Sequence, residues 1–154
     1  MQGAMSPAFT ATKLAWTKAN EPHVFERAAS LLLPGSYVNW WLTGEMGMDA
    51  GDASGTALLD TRTRKWDEAA AALVDAKVAA MLPRLLAPSE PVGLLRHDRT
   101  AELGLPKECG PVTVSAGSGD NACAALGAGM THDGQEDPAR PRRDAVGGVS
   151  PERL

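Results

Sequence analysis

The segment from residue 111 to residue 130 constrains the fold most, because its hydrophobic pattern changes from strand-like to helical at a single turn. Residues 111–116 read Pro-Val-Thr-Val-Ser-Ala, and their β-branched side chains predict a strand. Residues 117–120, Gly-Ser-Gly-Asp, form a glycine-rich turn, and residues 121–130 predict a helix of small and apolar residues. This order, in a chain that mixes helices with short strands, predicts the α/β or the α+β class.

The chain divides into a periodic body and an aperiodic tail. Residues 1–130 contain segments of regular apolar spacing, separated by Gly, Pro and capping residues. Residues 131–154 are dominated by Pro, Gly and charged residues and show no repeating apolar face. Such a tail buries too little apolar surface to offset the entropy of ordering it. We therefore predict one domain over residues 1–130 and a disordered tail over residues 131–154.

Composition and charge exclude several classes of partner. The chain is 44% hydrophobic and 22% charged, as soluble globular proteins are. Fifteen Lys and Arg stand against 19 Asp and Glu, so no basic surface for nucleic acid is expected. The N-terminus has no signal-peptide pattern, and the most apolar stretch, residues 69–87, carries charges and a proline. We expect a cytoplasmic protein without nucleic-acid or membrane partners.

Capping residues and apolar spacing predict the elements of the body. The first predicted helix covers residues 11–18 and is capped by Thr10, and the second is capped by Asn20 and has a buried stripe of Val24, Phe25, Ala28 and Ala29. The third covers residues 36–42 and is ended by Gly44. Three more are predicted: residues 68–74 capped by Asp67, a short segment to Met81, and a segment between Asp98 and Gly104. The predicted strands cover residues 31–33 and 57–60, with an edge strand at Leu94 and Leu95.

Asp120 is the strongest candidate for chemistry. It follows a predicted strand, where open α/β sheets place their ligands, and it begins a predicted helix, whose positive end favours an ionised carboxylate. An ionised, oriented carboxylate can act as a general base toward a substrate hydroxyl. The alternative is purely structural, because an Asp at a helix start is commonly an N-cap.

Residues 44–56 form a second polar cluster, with Asp49 and Asp52 three positions apart. The spacing does not fit the EF-hand loop, which needs oxygen ligands at alternate positions and a terminal Glu. A Ca²⁺ or Mg²⁺ loop and ordinary turn and cap chemistry both remain open here, and the second is favoured.

Three stretches resemble the FGGY carbohydrate kinases, and within them most closely the xylulokinases. They are residues 9–16 with 20–22, which resemble GFTAPKLLW and NEP; residues 33–37, 42–45, 49 and 52–56, which resemble LPKDYL, LTGE, D and SDASGT; and residues 116–129, which resemble AGAGDNAAGALGAG. Order and spacing agree over residues 5–130, and the third stretch is the most specific. Departures include Ala8 for Gly, Thr12 for Pro and Gly35-Ser36 for Lys-Asp.

This resemblance implies a specific fold and chemistry. It implies an α/β fold, part of an actin-like, ribonuclease-H-like ATPase domain whose second half the chain represents. It implies that Asp120 is the catalytic base, which takes the proton of a ketose hydroxyl as that oxygen attacks the γ-phosphate of MgATP, and that Asn121 lies beside the sugar. The expected reaction converts D-xylulose to D-xylulose 5-phosphate.

The resemblance also sets expectations about what these residues lack. The family's DxGT phosphate turn and its second phosphate loop have no counterpart in the sequence, so the ATP and Mg loops are expected to be absent and the isolated chain inactive. The expected partners are a small-molecule sugar and either the remaining parts of the kinase or a second copy of the chain. The alternatives are an FGGY kinase for gluconate, ribulose, glycerol or another polyol, and a non-catalytic remnant or binding module.

Overall fold

The computed structural model of the chain describes residues 6–129, apart from Pro88 and the side chain of Lys107. It divides into two compact units, the first ending at Gly119 and the second beginning at Asp120.

The helices of the first unit are α1 (Thr10–Asn20), α2 (Pro22–Arg27), α3 (Pro34–Thr43), α4 (Ala50–Ser54), α5 (Glu68–Val74), α6 (Val78–Met81) and α7 (His97–Glu102), and a 3₁₀ turn covers Lys107–Cys109. Its strands are β1 (Gly47–Asp49), β2 (Leu59–Asp60), β3 (Lys65–Trp66), β4 (Arg84–Leu86), β5 (Pro91–Leu94) and β6 (Thr113–Ser115). The second unit contains α8 (Asp120–Gly127). The predicted tail, residues 131–154, lies outside the described residues.

The strands of the first unit pair two by two. β1 pairs with β4 in parallel, with Gly47 opposite Arg84 and Asp49 opposite Leu86. β2 and β3 form an antiparallel hairpin, and β5 and β6 pair antiparallel with an irregularity between Pro91 and Gly93. A bulge there fits a segment in which proline cannot donate a ladder hydrogen bond. The predicted mixture of helices and short strands is confirmed.

Three clusters of buried side chains hold the elements together. The largest joins α1, α2, α5 and α6 and contains Ala11, Leu14, Phe25, Leu58, Ala71 and Val78. A second, of Met48, Ala53 and Leu59, packs β1 against α4 and β2. The third, of Leu86, Val92 and Ala116, joins β4, β5 and the segment after β6. The last two contain residues of β1, α4, β4 and the segment after β6, which are the elements around the cleft described below.

Two predicted helix ends are confirmed in detail. The Asp67 side chain accepts a hydrogen bond from the backbone N–H of Ala70 at 3.0 Å, which makes it the N-cap of α5. Gly44 ends α3 in the left-handed conformation, with φ of 84°, and its N–H donates to the Trp40 carbonyl. The short helix that ends at Met81 is confirmed as α6.

Other predicted caps are wrong, because helices begin earlier or later than the capping residue type indicated. Thr10 lies inside α1, whose N-cap is Phe9, and Asn20 is the last residue of α1. α2 begins with Pro22 after Glu21, and α3 begins with Pro34 rather than Ser36. Proline at the first helical position fixes a helical φ without losing a needed N–H, and it decides both starts. Asp98 lies in the first turn of α7, which begins after Arg96.

The predicted stripe on the second helix and two predicted strands also need correction. Phe25 is buried, but Val24 and Ala29 are exposed, because α2 is only six residues long and turns a narrow face inward. Residues 31–33 form no strand; the Leu31 N–H donates instead to the Met81 carbonyl at 2.8 Å, at the end of α6. Of the edge strand predicted at Leu94 and Leu95, β5 includes only Leu94.

Removing the α5 cap should weaken the first unit. Asp67→Ala leaves the Ala70 N–H without its acceptor, and we expect a loss of about 1 kcal/mol in the free energy of unfolding. Urea denaturation monitored by Trp fluorescence measures it. Asp67→Asn is the matched control, because Asn caps about as well as Asp, and an equal loss in both variants would contradict the cap assignment.

No helix in the described part of the chain combines the length and the apolar character that crossing a membrane requires.

Candidate active-site cleft

The cleft in the first unit is lined by three converging elements and has a volume of about 590 Å³. The first half of α3, the junction of β1 with α4, and β6 with its following turn all contribute. The lining residues are Gly35, Ser36, Val38, Asn39, Asp49, Asp52 and residues 113–118. The glycine-rich turn singled out in the sequence thus borders the cleft, and so do Asp49 and Asp52 of the 44–56 cluster.

Asp49 is a buried carboxylate at the floor of this region. It is 4% exposed, and its Oδ1 accepts a hydrogen bond from the Asp52 backbone N–H at 2.9 Å, which caps α4. Because it is the last residue of β1, its position is set by the parallel pairing with Leu86. The turn-and-cap interpretation of the 44–56 cluster is therefore confirmed for Asp49. Among the described residues, no group of three or more His, Cys, Asp or Glu side chains could hold a metal ion.

The glycine-rich turn rests directly on the start of α4. A Cβ on Gly51 would lie 2.7 Å from Ser118 Oγ and 2.9 Å from Asp49 Oδ1, closer than real Cβ contacts allow. A Cβ on Gly119 would lie 3.7 Å from the Asp52 backbone, which is ordinary van der Waals contact. The backbones of α4 and the turn are therefore in close approach, and the absence of a side chain at position 51 permits it.

Asn39 joins a third element to this contact. Its Nδ2 donates to the Ala116 carbonyl at 3.1 Å, so the middle of α3 is tied to the residue that leads from β6 into the turn. Sequence reasoning missed Asn39 and Gly51. Asn39 lies in no pattern that predicts a site, and Gly51 lies in the 44–56 cluster without being singled out there. Only the folded arrangement shows that both residues contact the segment 116–118.

Asp120 and Asn121 are the first two residues of α8, in the second unit, and both are exposed. Asp120 Oδ1 accepts a hydrogen bond from the Asn121 backbone N–H at 2.8 Å. An N-cap side chain accepts from the residue two or three positions further on. This hydrogen bond joins Asp120 to its immediate neighbour, so it is not the contact that defines a cap.

Carboxyl groups with a lowered pKa lie at other surfaces. The Lys18 ammonium group donates to Asp75 and lowers the pKa of that carboxyl, and the Arg62 backbone N–H does the same for the pKa of Asp60. Neither residue lines the cleft.

Comparison with known proteins places the chain among sugar kinases. The family model for the FGGY family of carbohydrate kinases, N-terminal domain, matches residues 2–127. The chain is 39% identical over 131 residues to the xylulose kinase of Klebsiella pneumoniae, a match that covers 85% of this chain and 26% of that protein. The crystal structure of a xyloylose kinase from Brucella ovis matches with a TM-score of 0.72 at 39% identity, over 80% of this chain and 25% of that one. The xylulose kinase structure from Rhodospirillum rubrum matches with a TM-score of 0.74 at 26% identity, over 82% of this chain and 26% of that one.

The chain thus spans about a quarter of the length of the relatives it matches. Their structural likeness confirms the predicted α/β fold as part of an actin-like ATPase domain. The match over residues 2–127 also confirms the family resemblance of the three motifs. The chain belongs to the FGGY family of carbohydrate kinases and carries sequence of its N-terminal domain.

Proposed function

We propose that this chain forms the sugar side of a kinase that transfers the γ-phosphate of ATP to a ketose hydroxyl, converting D-xylulose to D-xylulose 5-phosphate. The observation that carries the proposal is Asp120, which ends the glycine-rich turn of residues 117–120 and begins α8; Gly117 and Ser118 of the same turn border the cleft. The identity to a xylulose kinase supports the choice of sugar.

In this proposal Asp120 is the general base. Its carboxylate takes the proton of the sugar hydroxyl while the hydroxyl oxygen forms a bond to the γ-phosphorus. The bond from that phosphorus to the bridging oxygen of ADP breaks, and the negative charge leaves with ADP. The carboxylate is exposed and already accepts one hydrogen bond, from the Asn121 N–H, which restrains the orientation of its side chain.

Asn121 is proposed to contact the sugar. Its side-chain amide offers both a donor and an acceptor, which suits a polyhydroxylated substrate. Its backbone N–H is already engaged with Asp120, so the two residues at the start of α8 act together.

ATP supplies the transferred phosphoryl group, and Mg²⁺ neutralises its charge in such kinases. The resemblance gives the residues of this chain no counterpart to the family's phosphate loops. We therefore propose that other parts of the kinase hold the nucleotide and are partners of this chain in a cytoplasmic enzyme.

A chimeric kinase tests the proposal. Residues 2–127 replace the matching segment of the Klebsiella pneumoniae xylulose kinase, and ADP release is measured with D-xylulose, D-ribulose, gluconate and glycerol. We expect turnover with D-xylulose to exceed turnover with the other three. A preference for one of the others would replace the proposed sugar, and an inactive but folded chimera would count against the kinase role.

The 154-residue polypeptide alone should give no turnover. Phosphoryl transfer depends mainly on positioning and on neutralising phosphate charge, and the resemblance assigns that task to phosphate loops that have no counterpart in this sequence. A coupled assay of ADP release at saturating ATP and D-xylulose measures it, with the Klebsiella pneumoniae enzyme as the positive control. Turnover above background that Asp120→Asn removes would overturn this prediction.

A further inference from the structure

The described residues that line the cleft of the first unit include two carboxylates, Asp49 and Asp52, and no Lys, Arg or His. Asp49 is 4% exposed, and it forms no ion pair within the described part of the chain. Burial removes a carboxylate from water, so buried charges in proteins are normally paired with an opposite charge. Asp49 therefore lacks, within the described residues, the partner that its burial requires.

Only one of the two oxygens of the Asp49 carboxylate is engaged. Oδ1 accepts the Asp52 backbone N–H at 2.9 Å, whereas Oδ2 accepts no hydrogen bond from the described residues. No buried side-chain oxygen or nitrogen among those residues is both sealed from solvent and without a partner. Oδ2 is therefore accessible, and the cleft that Asp49 lines is the space from which a ligand reaches it.

Two side chains of α3 add unpartnered oxygens to the same cleft. Ser36 is 4% exposed, and its hydroxyl forms no hydrogen bond within the described residues, so it too keeps access to the cleft it lines. Asn39 donates through Nδ2 to the Ala116 carbonyl, which leaves its Oδ1 as an unused acceptor. The two residues are three positions apart on one helix and lie on the same face. Acceptors thus reach the cleft from α3 as well as from the end of β1.

We propose that this cleft receives an arginine side chain from another part of the kinase. A guanidinium group supplies the missing positive charge together with five N–H donors, which match the acceptors of Asp49 and Asn39 and the hydroxyl of Ser36. It is more weakly hydrated than an ammonium group, which suits a buried pair. A neutral sugar hydroxyl would satisfy the hydrogen bonds and leave the charge of Asp49 unpaired.

The source of the arginine rests on the proposed function, in which other parts of the kinase are partners of this chain. The chain spans about a quarter of the length of its relatives, so residues outside it can supply the side chain. The proposal makes the cleft an interface within the kinase, and it gives Asp49 two tasks: Oδ1 caps α4, and Oδ2 holds the guanidinium group.

Asp49→Asn tests the proposal, because it removes the charge and keeps a good cap on α4. In the 154-residue chain the charge is unpaired, so its removal should raise the thermal unfolding midpoint by about 2–6 °C. In the chimera the charge is paired, so the same substitution leaves the guanidinium group without its partner and should lower the midpoint by about 2–6 °C. Opposite signs in the two proteins identify a partner outside this chain.

Asp67→Asn is the matched control. Asp67 caps α5 through the same bond, at 3.0 Å, but is only half-buried, so its midpoint should change by less than about 2 °C in both proteins. Asp49→Ser is a second neutral cap and should shift both midpoints in the same directions as Asp49→Asn. Methylguanidinium chloride should raise the midpoint of the unsubstituted 154-residue chain above its value in sodium chloride of equal ionic strength, and Asp49→Asn should abolish that difference.

A midpoint that moves in the same direction in both proteins would overturn the proposal. Stabilisation of the 154-residue chain by magnesium chloride, dependent on Asp49 and larger than that by methylguanidinium, would overturn it in favour of a metal ion. A folded chimera that lacks turnover but is destabilised by Asp49→Asn would support the arginine and count against the proposed kinase function. An active chimera that Asp49→Asn stabilises would overturn the arginine and leave the proposed function intact.

Discussion

Asp120→Asn in the chimeric kinase is expected to reduce kcat by about 10²–10⁴-fold, the usual loss when a general base is removed. Asn has nearly the same shape as Asp, but its amide cannot take the hydroxyl proton. The KM for the sugar should change much less, because the surroundings of α8 are preserved. Steady-state kinetics at varied D-xylulose and fixed saturating ATP separate the two effects.

The matched control for this substitution is Asp67→Asn. Asp67 also lies at the start of a helix and accepts one backbone hydrogen bond, but no role in the reaction is proposed for it. Asn and Asp cap helices about equally well, so this variant should keep the activity of the chimera. Near-normal turnover in Asp120→Asn would show that the residue has only a structural role at the start of α8.

Phe25→Ala is expected to cause the largest loss of stability, about 3–5 kcal/mol in the free energy of unfolding. Phe25 is 1% exposed at the centre of the largest buried cluster. The Lys77 ammonium group lies 4.9 Å from the ring centroid and donates to the Phe25 carbonyl at 2.7 Å, so truncation also removes a cation–π contact. Urea denaturation of the chain measures the loss in the free energy of unfolding. A loss of this size is a large share of the total stability of a typical domain.

Val24→Ala is the control for Phe25→Ala. Val24 precedes Phe25 on the same short helix, but it is 45% exposed, so its truncation should cost less than about 0.5 kcal/mol. Equal losses for the two neighbours would contradict the burial that the structure assigns to α2.

The sequence predicted the fold best where a local signal and a tertiary requirement coincide. Asp67 and Gly44 are examples, because the cap and the left-handed helix end are decided by the residue itself and its immediate neighbours. The segment 31–33 is the opposite case. Its three leucines are as apolar as the residues of a buried strand, but the segment pairs with no strand and forms one hydrogen bond to the end of α6. No local sequence pattern indicates that the segment contacts α6.

The candidate site likewise contains residues that a local sequence pattern identifies and residues that only tertiary contacts identify. The glycine-rich turn and Asp120 stand out in the sequence because consecutive residues carry the pattern. Asn39 does not stand out, and the 44–56 cluster that contains Gly51 does not indicate that this glycine matters, because both residues contact positions 116 and 118, far along the chain. Which residues meet Ala116 and Ser118 depends on the parallel pairing and on the packing of α3, and that information is spread over the whole first unit.

During synthesis on the ribosome, β1 remains without its partner until β4 has been made, because α4, β2, β3, α5 and α6 lie between them in the chain. At about 5–20 residues per second, the wait is roughly a few seconds. The helices α1 and α2, which contact each other and are adjacent in sequence, can pack much earlier. Met48, buried in the finished fold, is meanwhile accessible to other hydrophobic segments and to chaperones. The duration of that exposure is set by the order of elements in the gene, and strengthening the pairing of β1 with β4 would not shorten it.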